Sequence, residues 1–297
     1  MKKITVRAPA KINFYLDILG KRKDSYHEIE SLVQSVSLYD IIHLEKTKDK
    51  KIEVSCNYPA LPENYDNLVY KAAKLFFEIA GITCGIRIKV EKRIPLGAGL
   101  GGGSTDAAAT LLGLNLLFET DIPLPNLVKE SSKLGSDVPF CILRGTAVIK
   151  GRGERVYPLP SIKDGWIVIV YPGVSVSTSW VYAQISQQLT SCKKKGKLNI
   201  TELRRKIKSE GITAVINLLY NKLEEVTALR LPVIKKIKEE FKKAGARGAL
   251  MSGSGSSVFG VCENLKQAKR LSEKLKGGGE VYITQPVDEK VSKEGIG

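Results

Sequence analysis

The feature that most restricts the fold of this chain is a glycine-rich segment in its first half. Five glycines fall between positions 97 and 103, within Pro95-Leu-Gly-Ala-Gly-Leu-Gly-Gly-Gly-Ser-Thr105. Alternating residues 86–91 precede the segment and apolar residues 106–118 follow it, which predicts a half-exposed strand, a loop and a helix. Glycine amides without neighbouring Cβ atoms, beside the positive end of a helix dipole, favour a bound phosphate.

Two common phosphate motifs do not fit this segment. Gly97, Gly99 and Gly102 form a G-x-G-x-x-G pattern, but the preceding strand is half polar, unlike that of a dinucleotide fold. A Walker A loop needs a lysine before Ser104, where Gly103 stands. A flexible hinge is the alternative to a phosphate loop. If a nucleoside triphosphate binds here, its predicted contacts are Pro95, Leu96, Gly97, Ala98, Gly99, Leu100, Gly101, Gly102, Gly103, Ser104 and Thr105, with the Ser104 or Thr105 hydroxyl as the candidate Mg²⁺ ligand.

The order of the remaining patterns indicates an α+β protein with two domains. Strands and helices mix without regular βαβ alternation. Residues 4–6 and 12–18 predict a hairpin, with Ala8-Pro-Ala10 as a bulge or corner, and Asp66 is expected to cap a helix over 67–80. A polar, proline-punctuated stretch over 157–164 predicts domains at 1–163 and 164–285, followed by a tail at 286–297.

Composition narrows the function without naming it. The chain has a net charge of +16, which is compatible with nucleic acid, an anionic membrane, a phosphorylated small molecule or a solvated lysine-rich surface. Its basic residues are scattered among polar and acidic neighbours, which weakens the nucleic-acid interpretation. Five cysteines without a C-x-x-C pair and only two histidines argue against structural zinc and for reduced thiols. The longest apolar stretch, 107–118, is too short for a membrane span, so we expect a cytoplasmic protein.

Four segments together resemble the GHMP kinase superfamily. They are the glycine segment extended to Ala109, Ala8-Pro-Ala-Lys-Ile-Asn-Phe14 with Asp24-Ser-Tyr-His-Glu28, Gly135-Ser-Asp-Val-Pro-Phe140, and Met251-Ser-Gly-Ser-Gly-Ser256. Within the superfamily they are similar to the kinases of diphosphocytidyl methylerythritol. The resemblance implies an N-terminal domain like domain 2 of ribosomal protein S5, a ferredoxin-like C-terminal domain and an active site between them. It also implies transfer of the ATP γ-phosphate, with Mg²⁺, to the substrate's 2-hydroxyl in the methylerythritol phosphate route to isoprenoids.

The same resemblance implies roles for individual residues. Asp137 corresponds to the base and Lys11 to the lysine beside it, whereas the residues alone favour a helix N-cap and a surface lysine. Ala183 stands where the family commonly has lysine, and Ser25 where it has glycine. The implied substrate contacts are Asn13, Tyr26, His27, Tyr182, Gly253 and Ser254, and Asn67 is the implied adenine contact.

Each of those contacts has a plainer alternative. His27 or Tyr182 can be a core residue, Asn67 can cap a helix, and residues 252–257 can simply connect two strands. The rival functions are another GHMP small-molecule kinase, of homoserine or mevalonate type, and a basic RNA-binding protein. We expect ATP and diphosphocytidyl methylerythritol as partners, no nucleic acid, no membrane, and a monomer or weak homodimer.

Overall fold

The computed structural model describes residues 2–58, 66–188 and 198–288, and its irregular mixture of strands and helices confirms the α+β class. The strands are β1 (Lys3–Lys21), β2 (His27–Thr47), β3 (Ile52–Cys56), β4 (Gly85–Glu91), β5 (Thr146–Gly151), β6 (Arg155–Pro158), β7 (Trp166–Tyr171), β8 (Tyr220–Asn221), β9 (Ala249–Met251), β10 (Val258–Cys262) and β11 (Glu280–Thr284). The helices are α1 (Leu68–Ala80), α2 (Gly102–Phe118), α3 (Leu124–Ser131), α4 (Val138–Leu143), α5 (Thr178–Gln188), α6 (Ile200–Glu210), α7 (Thr213–Ile216), α8 (Lys222–Arg230), α9 (Val233–Ala244) and α10 (Leu265–Leu275).

The first sheet is built on a long antiparallel pair, β1 and β2. Its strands run in the order β3-β4-β2-β1-β8, with β5 also pairing with β2 and β6 with β5. The predicted hairpin over 4–6 and 12–18 is wrong, because both segments belong to β1. The predicted bulge is present, since the β1–β2 register shifts between Pro9 and Ala10. Alternation reports only which side chains are buried, so it cannot distinguish a bulge from a chain reversal.

Helices α1 and α2 cover one face of this sheet. Helix α2 is buried along most of its length, and a Cβ added at Gly113 would lie 2.4 Å from Leu44 Cδ1 of β2. The glycine therefore allows the helix to pack closely on the sheet. Helix α2 begins at Gly102 rather than at Asp106, so the last two glycines of the segment form its first turn.

The second sheet has the order β11-β7-β10-β9, and every neighbouring pair is antiparallel. Helices α9 and α10 pack against it. In chain order the four strands are β7, β9, β10 and β11, and the first of them, β7, lies between the fourth, β11, and the third, β10. A β-α-β-β-α-β order with this strand arrangement is the ferredoxin-like fold that the resemblance implied. The layers of the second domain are therefore those expected.

Several segments of the second half return to the first sheet. Strand β8 pairs in parallel with β1 at Tyr15. The Ser37 N–H donates to the Gln285 carbonyl, and the Val287 N–H donates to the Ser35 carbonyl, both at 2.9 Å. The first residues of the predicted tail thus bond to β2, while residues 289–297 and Cys192 lie outside the described residues. The border at 163/164 stays a prediction.

None of the helices in the described parts of the chain combines the length and the apolar character needed to cross a bilayer.

Candidate active site

A cleft of about 810 Å³ lies where elements of the two halves of the chain meet. Strand β1, the glycine segment, the residue before α4, helix α5 and the β9–β10 connection all contribute to its walls. Of the described residues predicted for the site, Thr105 and Asn67 do not line the cleft. Those that line it are Lys11, Asn13, Tyr26, His27, Pro95, Leu96, Gly97, Ala98, Gly99, Leu100, Gly101, Gly102, Gly103, Ser104, Asp137, Tyr182, Gly253 and Ser254.

Lys11 and Asp137 form an ion pair in this cleft. The buried ammonium of Lys11 lies 3.3 Å from Asp137 Oδ2 and donates a hydrogen bond of 2.8 Å to Asn13 Oδ1. The Asn13 amide in turn donates to Ser31 Oγ at 2.9 Å, so both ends of the amide are bonded and hold Lys11 in place. The Asp137 side chain is 33% exposed. This carboxylate is therefore accessible from the cleft and has a cation beside it.

The position of Asp137 matches that of a helix N-cap, but its hydrogen bonding does not. Asp137 occupies the N-cap position of α4, yet its side chain accepts no capping hydrogen bond. A capping aspartate would accept from a backbone N–H of the first helical turn. The carboxylate is thus free to act on a ligand.

The carbonyl groups at the start of the glycine segment, from Leu96 to Gly99, point toward the second domain. The Leu96 carbonyl accepts from Ser175 Oγ at 2.9 Å, the Ala98 carbonyl from the Ser257 N–H at 3.1 Å, and the Gly99 carbonyl from Ser252 Oγ at 3.0 Å. In a trans peptide the C=O and the next N–H point in opposite directions. The following N–H groups therefore point away from the second domain.

Those N–H groups have no acceptor among the described residues. Within the described parts of the chain, nothing accepts a hydrogen bond from the backbone of residues 97–104, and the first turn of α2 has no side-chain cap. Unsatisfied amides at a helix N-terminus bind anions well. This arrangement favours a phosphate site over a hinge.

The two candidate magnesium hydroxyls are in different surroundings. Ser104 lines the cleft, whereas Thr105 is buried and its Oγ1 has no hydrogen-bond partner among the described residues. A Mg²⁺ ion takes oxygen ligands and keeps several from waters and substrate phosphates. A single hydroxyl at Ser104 therefore fits an ion carried mainly by ATP, and Ser104 fits better than Thr105.

A buried charge cluster beneath the glycine segment was missed by the sequence analysis. The Lys92 ammonium bonds Asp40 Oδ2 and lies 2.7 Å from Asp106 Oδ2, while Asp40 Oδ1 accepts from the Ile94 N–H at 2.9 Å. A Cβ added at Gly102 would lie 3.1 Å from Lys92 Nζ. The cluster therefore supports the start of α2. Its available signal was Asp106, the one charged residue of helix α2.

Burial and the neighbouring charges shift the pKa values of Asp106 and Lys92. Burial raises the pKa of Asp106 to about 8, against the opposing effect of Lys92 and with a further rise from Asp40. Burial acts to lower the pKa of Lys92, but the two carboxylates raise it above its usual value. Two acids and one cation thus share a dry site, which favours one protonated carboxyl at neutral pH.

The predicted base-recognition residues lie together at the other end of the cleft. The rings of His27 and Tyr182 have centroids 5.2 Å apart and are tilted by 35°. Tyr26 is exposed, and the Arg152 guanidinium lies 5.0 Å from the centre of its ring. His27 Nε2 lies 2.7 Å from Ser186 Oγ of α5. Arg152 and Ser186 line the cleft but carried no signal in the sequence.

The turn before His27 accommodates serine at position 25, where the resemblance implies glycine. Ser25 has a φ of 67°, in the left-handed region that glycine adopts without strain. Asp24 Oδ1 accepts from the Tyr26 N–H at 3.2 Å and ties the turn together, and the Arg22 side chain lowers the pKa of Asp24. The departure from the family pattern therefore leaves the turn intact.

Asn67 and the loop over residues 252–257 both have structural roles, as a helix cap and as a connection between strands. Asn67 Oδ1 accepts from the Val69 N–H at 2.9 Å, so Asn67, and not Asp66, caps α1. The loop over 252–257 supports the glycine segment through Ser252, yet its Gly253 and Ser254 line the cleft. Direct contacts of these residues with adenine or substrate stay predictions.

Comparisons with known proteins agree with this architecture. Residues 67–145 match the GHMP kinases N terminal domain, and residues 198–280 match the GHMP kinases C terminal domain. The chain is 42% identical to a 4-diphosphocytidyl-2-C-methyl-D-erythritol kinase of Alkaliphilus metalliredigens over 93% of each chain. It is 44% identical to that of Macrococcus caseolyticus over 94% of this chain and 97% of the relative.

Solved structures give the same result. A crystal structure of 4-(cytidine 5'-diphospho)-2C-methyl-D-erythritol kinase superposes with a TM-score of 0.79 at 34% identity, covering 95% of this chain and 98% of that one. A homoserine kinase from Cytophaga hutchinsonii superposes with a TM-score of 0.76 at 20% identity, covering 98% and 96% of the two chains. The second likeness concerns the fold alone.

Proposed function

This chain belongs to the family of 4-diphosphocytidyl-2-C-methyl-D-erythritol kinases, and from that premise we propose how its cleft carries out phosphoryl transfer. The protein is an ATP-dependent kinase of the methylerythritol phosphate pathway of isoprenoid biosynthesis. This confirms the function that the four sequence segments predicted. The roles of single residues, Mg²⁺, the cytoplasmic location, the monomer or weak homodimer and the absence of a nucleic-acid partner are our proposals.

The ion pair of Lys11 and Asp137 carries the proposed chemistry. Asp137 accepts the proton of the substrate's 2-hydroxyl as that oxygen attacks the γ-phosphorus of ATP, the bond to the β-phosphate oxygen breaks, and ADP leaves. Lys11, 3.3 Å from the carboxylate, offsets negative charge on the attacking oxygen and on the transferred group. The single observation that supports this best is an uncapped, accessible Asp137 beside a buried lysine.

The glycine segment is the proposed binding site of the ATP phosphates. Its unsatisfied N–H groups and the N-terminus of α2 donate to phosphate oxygens without any Walker lysine. Gly101 also contacts the Lys11 side chain, because a Cβ at that position would lie 2.8 Å from Lys11 Cγ. The phosphates and the catalytic pair are therefore neighbours. The Ser104 hydroxyl would help to hold Mg²⁺, which neutralises phosphate charge when bound.

The cytidine end of the substrate fits the aromatic end of the cleft. Tyr182 and Tyr26 offer ring faces on which a base can stack, and His27 offers a ring nitrogen to the edge of the base. The Arg152 cation beside Tyr26 is suited to the negative charge of a diphosphate. A homoserine or mevalonate kinase would not need such a base-binding end.

A substrate panel with two variants tests this proposal. We expect ATP turnover with 4-diphosphocytidyl-2-C-methyl-D-erythritol and none with homoserine or mevalonate. Asp137→Asn should lower kcat by about 10²–10⁴-fold, the range for a general base, with the dissociation constant of ATP unchanged. Asp121→Asn is the matched control, since Asp121 is exposed, lies outside the cleft and has a φ that asparagine tolerates. A fully active Asp137→Asn would overturn the assignment of the base.

A further inference from the structure

The starting observation is the hydrogen bonding of the His27 ring. Its Nε2 lies 2.7 Å from Ser186 Oγ, across the cleft wall formed by α5. In the part of the chain that the structure describes, the other ring nitrogen, Nδ1, has no hydrogen-bond partner. His27 lines the cleft, so Nδ1 is the nitrogen left for a ligand.

Ser186 has two polar neighbours and one hydroxyl hydrogen. Its Oγ lies 2.9 Å from the carbonyl oxygen of Tyr182, one helical turn earlier, and donates to it as helical serines commonly do. The hydroxyl hydrogen is then used, and the contact with His27 is a hydrogen bond only when Nε2 carries the hydrogen. With the opposite tautomer, either the Ser186–Tyr182 or the Ser186–His27 contact would bring two lone pairs together.

The environment of His27 favours the neutral ring. Burial lowers its pKa, and the positive charge of Lys21 lowers it further. Lys21 also lines the cleft, and within the described residues His27 has no ion-pair partner. A neutral imidazole has one donor and one acceptor nitrogen, and Nε2 is the donor here.

We propose that Ser186 is a positioning residue that holds His27 as its Nε2–H tautomer, so that Nδ1 accepts a hydrogen bond and selects a pyrimidine with an exocyclic amino group. This rests on the proposed cytidine subsite. Cytosine presents an amino donor where uracil presents a carbonyl acceptor. A carbonyl facing Nδ1 would leave two acceptors opposed and unsatisfied. The selectivity expected from one such mismatch is about 10- to 100-fold.

The sequence of this chain makes the tautomer directly measurable. It contains only two histidines, His27 and His43, so nitrogen-15 labelling of histidine gives a simple spectrum. We expect a protonated Nε2 and an unprotonated Nδ1 at His27 in the wild type and in Ser186→Thr, which keeps a hydroxyl. Ser186→Ala should show a mixture of the two tautomers. A wild-type spectrum with the proton on Nδ1 would overturn the proposal.

Kinetics then measure the consequence. We expect kcat/KM for the cytidine substrate to exceed that for its uridine counterpart by about 10- to 100-fold, and Ser186→Ala to lose most of this ratio through a higher KM with little change in kcat. Ser209→Ala is the matched control, because exposed Ser209 of α6 makes the same bond to the carbonyl one turn earlier, Arg205 O at 3.2 Å. An unchanged ratio in Ser186→Ala would also overturn the proposal.

The two experiments separate this proposal from the proposed function. A wild-type enzyme that phosphorylates neither pyrimidine substrate would refute the function, while the tautomer spectrum needs no turnover. An active enzyme with the wrong tautomer would refute only the role of Ser186. Thermal unfolding of Ser186→Ala in parallel shows whether the variant is folded, and Ser186→Thr tests the hydroxyl in either case.

Discussion

Replacing Gly99 with alanine should uncouple the glycine segment from the second domain. Gly99 has a φ of 76°, and a Cβ at this position would lie 2.1 Å from the Ser252 carbonyl oxygen and 3.0 Å from the Gly255 nitrogen. Both neighbours are backbone atoms, so the two loops must separate. The separation breaks the bonds from Ser252 Oγ to the Gly99 carbonyl and from the Ser257 N–H to the Ala98 carbonyl.

The expected cost follows from these contacts. A left-handed alanine costs about 1–2 kcal/mol, and each lost hydrogen bond about 0.5–1.5 kcal/mol, so Gly99→Ala should lower the free energy of unfolding by about 2–5 kcal/mol. Gly81→Ala is the matched control: Gly81 has a φ of 63° and nothing within 4 Å of an added Cβ. It should lose only the backbone cost, about 1–2 kcal/mol.

Urea unfolding and the KM for ATP measure both variants. We expect Gly99→Ala to raise the KM for ATP, because the phosphate-binding amides shift with the loop, and Gly81→Ala to leave it unchanged. If Gly99→Ala were no less stable than Gly81→Ala and bound ATP normally, the contact between the loops would not shape the phosphate site.

Three shorter predictions concern other parts of the cleft. Lys11→Met should lower kcat by about 10²–10³-fold in steady-state assays, because Asp137 loses its cation; a kcat near that of the wild type would contradict this. The pKa of Asp106 is raised to about 8 in the folded protein, whereas the unfolded chain releases this proton near the usual pKa of about 4. Because the folded state binds the proton more tightly, the free energy of unfolding should fall as the pH rises from about 4 to about 8. Asp106→Asn should abolish that fall in urea titrations at several pH values. Asn67→Ala should lower the free energy of unfolding by about 1 kcal/mol because the bond to the Val69 N–H is lost, whereas Asn67→Ser keeps a capping oxygen. A loss of ATP affinity that persists in Asn67→Ser would support the adenine contact.

The sequence predicted best what depends on neighbours along the chain. The glycine segment between a strand and a helix was located correctly because glycine density and apolar periodicity are local properties. The start of α2 was placed at Asp106 instead of Gly102, since glycine disfavours a helix interior but is tolerated in a first turn.

The sequence could not predict what depends on distant segments meeting. Asp40, Lys92 and Asp106 come from three separate stretches, and their pattern exists only after β2 and α2 pack together. Ser186 looked like an ordinary helical serine until His27 was placed opposite it. From the sequence Asp137 could be a helix cap or a base; the absence of a capping bond from its side chain and the nearby Lys11 favour the base, which stays our proposal.

The most direct test of the central claim is phosphorus NMR of the wild-type protein with ATP, Mg²⁺ and 4-diphosphocytidyl-2-C-methyl-D-erythritol. The proposed roles of the cleft require the γ-phosphate resonance of ATP to disappear as one new phosphate monoester resonance grows in equal amount, coupled to the methylerythritol carbon that bears the 2-hydroxyl. Asp137→Asn should abolish this growth while Asp121→Asn retains it. ATP consumed to inorganic phosphate, or a monoester formed equally well by Asp137→Asn, would contradict the account.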